Sequence, residues 1–262
     1  MKKTFTFRQS DLEQADKCLE SLRLKYSEPI EQPYTSDLAR GNAVHNAIEY
    51  VGNEMIRSGE VPSWDEVKPI IDEAMLIECK LVEDWRTSPE ETEETIQNNF
   101  EAWYWEVFPH LSPIAVEQEF NVLLDETKDR KIHLSGTIDW IDESGLILDW
   151  KNPTRPYQRW EKVRWDNQST VYTYAVACSD GNFDERPFQL VMLCKGKVHT
   201  IDITRGPRDW EALKSKCHAL ADLIDANLNS YPQGWNSWYC SPKWCAHWSQ
   251  CRGAHLGDDP QW

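Results

Sequence analysis

Apolar and polar residues follow a helical period up to Pro109 and a strand period from Ile114. Val44, Ile48, Val51 and Met55 recur at helical spacing and predict a helix starting near Ser36. Ser10-Asp-Leu-Glu13, Ser63-Trp-Asp-Glu66 and Ser88-Pro-Glu-Glu91 read as capping boxes, the last with Pro at the first helical position. The first should open a helix running to about Leu24 with Cys18 inside it. The others should open helices over 64–86 and 89–107, with Ile96, Phe100, Trp103 and Val107 on one face. The strand period then predicts strands at 114–124, 131–142 and 145–151, an antiparallel meander. A helix over 165–178 follows, then a hairpin of 187–194 and 198–204 turning at Lys195-Gly196-Lys197, and a helix over 207–228. Past Tyr231 the chain is rich in Pro, Trp and Cys and has no period. Without repeats or a low-complexity linker, one domain is expected over 1–262, with a helical part at 1–110, an α/β core at 111–204, and a C-terminal helix and Cys-rich tail at 205–262.

The chemistry of this pattern concentrates in Leu134 to Lys151. If Glu143-Ser144-Gly145 is a three-residue loop, Asp142 pairs with Leu146, and counting outward sets Asp139 opposite Asp149. Opposed residues have Cβ atoms about 4.5–5.5 Å apart, where like charges destabilise unless compensated. A divalent cation would compensate them, although paired carboxylates on a solvated hairpin need none. Ile138, Trp140, Ile147, Leu148 and Trp150 read as a buried strand pair, in which unpaired charge is costly. Lys151 falls on the same strand face as both carboxylates, and Trp150 on the other.

Composition narrows the class. An apolar fraction of 40% over 262 residues suits a globular core. No run approaches the ~18 residues of a membrane span, and Met1 to Arg8 lacks the apolar centre of a signal peptide, so a soluble, cytoplasmic protein is expected. That location favours metal binding or buried thiols over disulfides for the eight cysteines. A net charge of −16 argues against nonspecific coating of nucleic acid but not against an enzyme that acts on it; much of the excess lies in the Glu-rich stretch from Glu83 to Glu101.

Residues 152–164 form an expected loop with Arg155, Arg159, Lys162 and Arg164 interleaved with Tyr157 and Trp160. This composition suits a nucleic-acid strand as well as an ordinary surface loop. Cys240, Cys245 and Cys251 fall within twelve residues, which points to metal ligation in a reducing compartment. Cys18 is the candidate fourth ligand, while His247 or His255 could instead complete a zinc site. Cys79, Cys178, Cys194 and Cys217 read as core, and His45 adjoins the apolar stripe of its helix.

These residues resemble the PD-(D/E)XK nucleases of the RecB type, which include CRISPR-associated RecB-like exonucleases and phage-encoded relatives. Gly41-Asn-Ala-Val-His45 resembles the first motif, Gly136-Thr-Ile-Asp139 the second and Asp149-Trp-Lys151 the third, and Gln168-Ser-Thr-Val-Tyr172 matches the Gln-x-x-x-Tyr signature. Cys18 with Cys240, Cys245 and Cys251 resembles the ligand set of a [4Fe–4S] cluster, although the x4 and x5 spacings are wider than in many members.

The resemblance implies an α/β fold with a restriction-endonuclease-like core, a mixed central sheet flanked by helices, and a C-terminal Cys-rich cluster-binding segment. It implies one or two Mg²⁺ or Mn²⁺ ions on His45, Asp139, Asp149 and the carbonyl of Trp150. Lys151 would orient water or phosphate, and Gln168 and Tyr172 would contact DNA or brace the site. The implied activity is that of a deoxyribonuclease acting in recombination, repair or CRISPR-type processing, beside helicase, recombination or CRISPR-adaptation proteins. Glu117 and Glu119 compete for an upstream acidic role, and neither is assigned. A non-cleaving DNA-end-binding or adaptor protein on the same fold, or a zinc-stabilised interaction module, is the alternative.

Overall fold

A computed structural model of the chain describes residues 2–256. The residues sort into two compact units. Of the described residues, one comprises 2–32, 121–135 and 211–256; the other comprises 33–120 and 136–210. The expected domain over 1–262 therefore has residues 1 and 257–262 outside the described part.

The larger unit carries α3 (Ser36–Ser58), α4 (Trp64–Lys80) and α5 (Pro89–Glu106), most of β2 (Pro113–Glu126), and the second half of β3 (Arg130–Asp142). It also holds β4 (Ile147–Lys151), α6 (Arg159–Trp165), α7 (Asn167–Asp180), β5 (Arg186–Leu193) and β6 (Val198–Arg205). Here β3 and β4 are antiparallel, β4 and β5 parallel, and β5 and β6 antiparallel, giving the expected mixed sheet. Ser63 forms its full box with Glu66, whereas Ser88 makes only its own half of one. Ser63 N–H donates to Glu66 Oε2 at 2.7 Å, and Ser88 Oγ accepts from Glu91 N–H at 3.2 Å. Helix α4 stops at Lys80 rather than residue 86, because the backbone after it turns back: Glu83 N–H donates to the Tyr34 carbonyl, and Ser36 N–H to that of Asp84.

One face of this sheet is buried under α3, α4 and α5. Val44, Ile48 and Val51, the apolar stripe of α3, are fully covered. Trp140 and Trp150 pack edge-to-face with each other at 5.8 Å and with Trp103 of α5 at 6.4 and 6.0 Å. The three indole N–H groups have no hydrogen-bond acceptor. The perpendicular rings set positive edges toward electron-rich faces, which partly answers that loss. Gly52 of α3 lets this face close, since a Cβ there would lie 2.5 Å from the Trp140 ring and 2.6 Å from Val116.

The smaller unit contains β1 (Lys3–Arg8), α1 (Gln9–Lys17), α2 (Leu19–Ser27), the first half of β3, most of α8 (Pro207–Asp225) and the tail ending in α9 (Gly253–Leu256). Strand β1 was not foreseen; it runs parallel to β3 from Lys3 opposite Arg130 to Arg8 opposite Ser135. The single helix expected from Ser10 to Leu24 is two helices. Cys18 is extended at φ −170° and ends α1, so the thiol sits at a break rather than inside a helix. The start moves as well: Asp11 Oδ2, not Glu13, receives the Arg8 N–H at 2.9 Å.

Candidate active site

The hairpin closes in the expected register. Asp142 N–H donates to Leu146 O at 2.9 Å and Trp140 pairs with Leu148, so one further step brings Asp139 opposite Asp149. Asp149 is wholly buried and Asp139 is 8% exposed. Asp139 Oδ2 also accepts the Trp150 N–H at 2.9 Å. Lys151 Nζ lies 2.7 Å from Asp149 Oδ2, a close ion pair. From α7, Gln168 Nε2 donates to Asp149 Oδ1 at 2.5 Å and to Tyr172 Oη at 3.0 Å, so the Gln-x-x-x-Tyr pair holds the carboxylate from one helix face. Gly136 clears space for this brace. A Cβ there would press at 3.0 Å on the Phe120 ring, which packs edge-on against Tyr172 at 5.8 Å.

His45, on α3, completes the motif residues. Its Nε2 lies 2.7 Å from the Trp150 carbonyl, which can only accept, so Nε2 carries the hydrogen. Nδ1 then presents its lone pair 3.6 Å from Asp139 Oδ2. Burial, and then the nearby Lys151 charge, hold the imidazole pKa below its ordinary value, so it is neutral at pH 7.

The residue that sequence reasoning left unassigned is Glu117. One ligand atom each from His45, Glu117 and Asp139 lies within 4.8 Å of the other two. Apart from Gln118, apolar residues occupy the even positions from Ile114 to Leu124, which predicts one regular strand face. The structure instead exposes Ile114 at 61% and shifts the inward side from Pro113 and Ala115 to Phe120, Val122 and Leu124. The phase slips at Glu117, whose φ of +46° lies in the left-handed region, as at a β-bulge. The slip directs Glu117 toward Asp139 and leaves Glu119 exposed. A non-glycine residue held there stores strain of the kind found at functional sites.

Electrostatics show what the arrangement lacks. Burial pushes the Asp149 carboxyl up to about 7 and raises that of Asp139, in both cases against the pull of Lys151. Burial, with Asp139 and Glu49 nearby, pushes Glu117 up to about 7. The Lys151 ammonium stays charged because Asp149 and Asp139 outweigh its own burial. One lysine thus faces three carboxyls. Asp149 Oδ2 is buried, and its close partner is the Lys151 ammonium at 2.7 Å. A neutral imidazole lone pair facing the Asp139 carboxylate, with Glu117 as a third group within reach, forms a donor set that a hard divalent cation fits.

The four cysteines also meet, inside the smaller unit. Cys18, Cys240, Cys245 and Cys251 line one cavity with Ser21, His247 and Trp248. Gly234 N–H donates to Cys18 Sγ at 3.3 Å, and a Cβ at Gly234 would strike the Lys17 carbonyl at 2.5 Å, so only glycine lets the tail approach the break between α1 and α2. Burial raises the thiol pKa values of Cys240, Cys245 and Cys251, and the neighbouring thiols raise them further. His247 is buried beside the cavity with Nδ1 3.0 Å from Gln250 Oε1, while His255 is exposed on α9. Cys194 and Cys217 are buried, as read, whereas Cys79 and Cys178 are half-buried.

The basic segment after Lys151 is only partly the expected loop, because residues 159–165 form α6. Buried Arg205 stabilises that helix end by donating to the Val163 carbonyl at 2.9 Å and the Lys162 carbonyl at 3.2 Å. Arg155, Arg159, Arg164, Tyr157 and Trp160 are exposed. Lys162 pairs with Asp166 at 2.8 Å and lies over the Tyr157 ring at 4.9 Å.

A sequence profile described as the PD-(D/E)XK nuclease superfamily matches residues 6–252. The chain belongs to this superfamily, whose nucleases cleave phosphodiester bonds with divalent metals. No curated protein matches it. The crystal structure of SSO0001 is similar to it at 12% identity and a TM-score of 0.38, covering 93% of this chain and 94% of that one. No described helix is long and apolar enough to cross a membrane.

Proposed function

We propose that the chain is a cytoplasmic Mg²⁺- or Mn²⁺-dependent deoxyribonuclease of the RecB type, acting as an exonuclease in recombination, repair or CRISPR-type DNA processing. The observation that carries this reading is the convergence of His45, Glu117 and Asp139, with the Asp149–Lys151 ion pair on the same hairpin. His45, Glu117, Asp139 and Asp149 would hold the metal. The Trp150 carbonyl would join them if the hydrogen bond from His45 were exchanged for a bond to the ion. Bound there, the metal supplies an acidified water and charge stabilisation at the phosphate.

The protein groups do the rest. Lys151, kept protonated by its carboxylate neighbours, holds a fixed positive charge beside the reacting phosphate and orients the attacking water. Gln168, anchored by Tyr172, fixes the rotamer of Asp149 and leaves its second oxygen to Lys151. Arg155, Arg159, Lys162 and Arg164, with Tyr157 and Trp160, would lead the DNA past it. Helicase, recombination or CRISPR-adaptation proteins would be its partners.

In the smaller unit, Cys18, Cys240, Cys245 and Cys251 would hold a [4Fe–4S] cluster. A mononuclear tetrahedral zinc site, with Zn–S near ~2.3 Å, needs ligand atoms within about 4 Å of one another. Among the described residues, no three of these thiols and His247 lie within 4.8 Å of one another. A larger multi-iron centre accepts the wider spacing.

The test is cleavage of end-labelled linear and closed circular DNA with Mg²⁺, Mn²⁺ or EDTA. Cutting that begins at ends and stops in EDTA is expected, with Asp149→Asn and Lys151→Ala each slower by at least about a hundredfold. Undiminished cutting by either variant refutes the site.

A further inference from the structure

The tail carries a second chemistry that the cysteines do not use. Of the protein's 14 tryptophans, Trp235, Trp238, Trp244 and Trp248 fall in fourteen residues. Trp248 is buried beside the cysteine cavity, but Trp235, Trp238 and Trp244 are 62%, 68% and 50% exposed. Leaving three indoles in water is costly for a protein that buries Trp103, Trp140, Trp150 and Trp210.

These rings are arranged with cations. Lys243 Nζ lies 4.8 Å from the Trp244 ring centre, and Arg252 lies 4.8 Å over Trp235. Trp238 meets Trp244 at 5.7 Å and 83°, a perpendicular pair in which the two ring planes face different directions. Charge sets the surface apart as well. From Tyr231 to Leu256 the sequence has no Asp or Glu, in a chain of net charge −16; the next carboxylates are Asp258 and Asp259. Glu20, the acidic group near the cavity, is engaged by Arg23 at 2.8 Å and by the Tyr231 N–H at 2.6 Å.

Exposed aromatic faces flanked by cations, on a segment cleared of carboxylates, complement a chain of unpaired bases joined by phosphates. A protein partner that buried these indoles would not require the cations, and duplex DNA would offer the rings no open base. We infer that the Trp235–Trp238–Trp244 face of the cysteine-rich segment is a binding surface for single-stranded DNA, separate from the catalytic site, with bases on Trp238 and Trp244 and phosphates on Lys243 and Arg252. The choice of DNA rests on the proposed activity; the surface does not.

The experiment measures binding of fluorescein-labelled dT30, and of a blunt hairpin duplex of equal length, to the full chain in EDTA. Trp238→Ala with Trp244→Ala should weaken dT30 binding at least tenfold, since each stacked base is worth roughly fivefold or more. The corresponding Phe pair should stay within about threefold of wild type. Lys243→Gln with Arg252→Gln should flatten the salt slope by about 1.4, at roughly 0.7 per phosphate on a single strand. Unchanged affinity in the Ala pair, a Phe pair as weak as the Ala pair, or an equal loss on the duplex overturns the proposal. Cleavage is scored separately. A protein that cuts DNA while its Ala pair binds dT30 normally overturns the surface alone, and one that binds through these residues without cutting overturns the activity alone.

Discussion

Replacing Glu117 by Gln should stabilise the metal-free protein while weakening its hold on metal. Burial and the neighbouring Asp139 and Glu49 carboxylates raise the Glu117 carboxyl from 4.5 to about 7. Below pH 4.5 the group is protonated in both folded and unfolded chains, so wild type and variant should unfold together. Between 4.5 and 7 the unfolded carboxyl ionises while the folded one keeps its proton, and wild-type stability falls relative to the variant. Above 7 the gap is complete. At 1.36 kcal/mol per unit the shift amounts to about 3 kcal/mol, and partial exposure of the side chain reduces that to about 1–3 kcal/mol. The strain of φ +46° cancels, since Gln inherits the same backbone.

Thermal unfolding in EDTA should therefore give E117Q a midpoint several degrees above wild type at pH 8 and none at pH 4. Added Mn²⁺ should reverse the order by raising wild type more than the variant, since binding to the native state stabilises in proportion to affinity. An E117Q protein no more stable than wild type at pH 8 in EDTA, or an equal Mn²⁺ gain in both, would refute the role given to Glu117.

Three further outcomes follow from the packing and charge described. Gly52→Ala, pressing a Cβ on fully buried Trp140 and on Val116, should cost about 1–3 kcal/mol in denaturant unfolding and lower metal affinity through the neighbouring Glu117. Arg155→Ala with Arg159→Ala should weaken DNA binding and flatten its salt dependence, leaving Mn²⁺ binding by calorimetry intact. If Cys18 and the three tail cysteines hold the proposed [4Fe–4S] cluster, anaerobically purified protein should absorb visible light and Cys18→Ser should lose that absorbance. Releasing a loop of roughly 220 residues should also cost about 5 kcal/mol of stability in unfolding experiments.

The division between local and tertiary information runs through particular residues. The caps at Ser63 and Ser88, the stripe of α3, and the hairpin that opposes Asp139 to Asp149 were legible in sequence, because capping, helical period and strand register are set by neighbours a few positions apart. So was the Gln168–Tyr172 pair, since residues four apart on a helix share a face. Glu117 was not legible: its even-spaced apolar neighbours predict a regular strand, and the bulge that turns it toward His45 and Asp139 answers to partners far away in the chain. The break at Cys18 is of the same kind, as is the glycine at 234 that admits the tail to it, because each is set by contacts across more than two hundred residues. Periodicity determines which face a residue joins. Only long-range packing decides where a chain leaves its period, and here it leaves it at Glu117 in the candidate metal site and at Cys18 in the cysteine cavity.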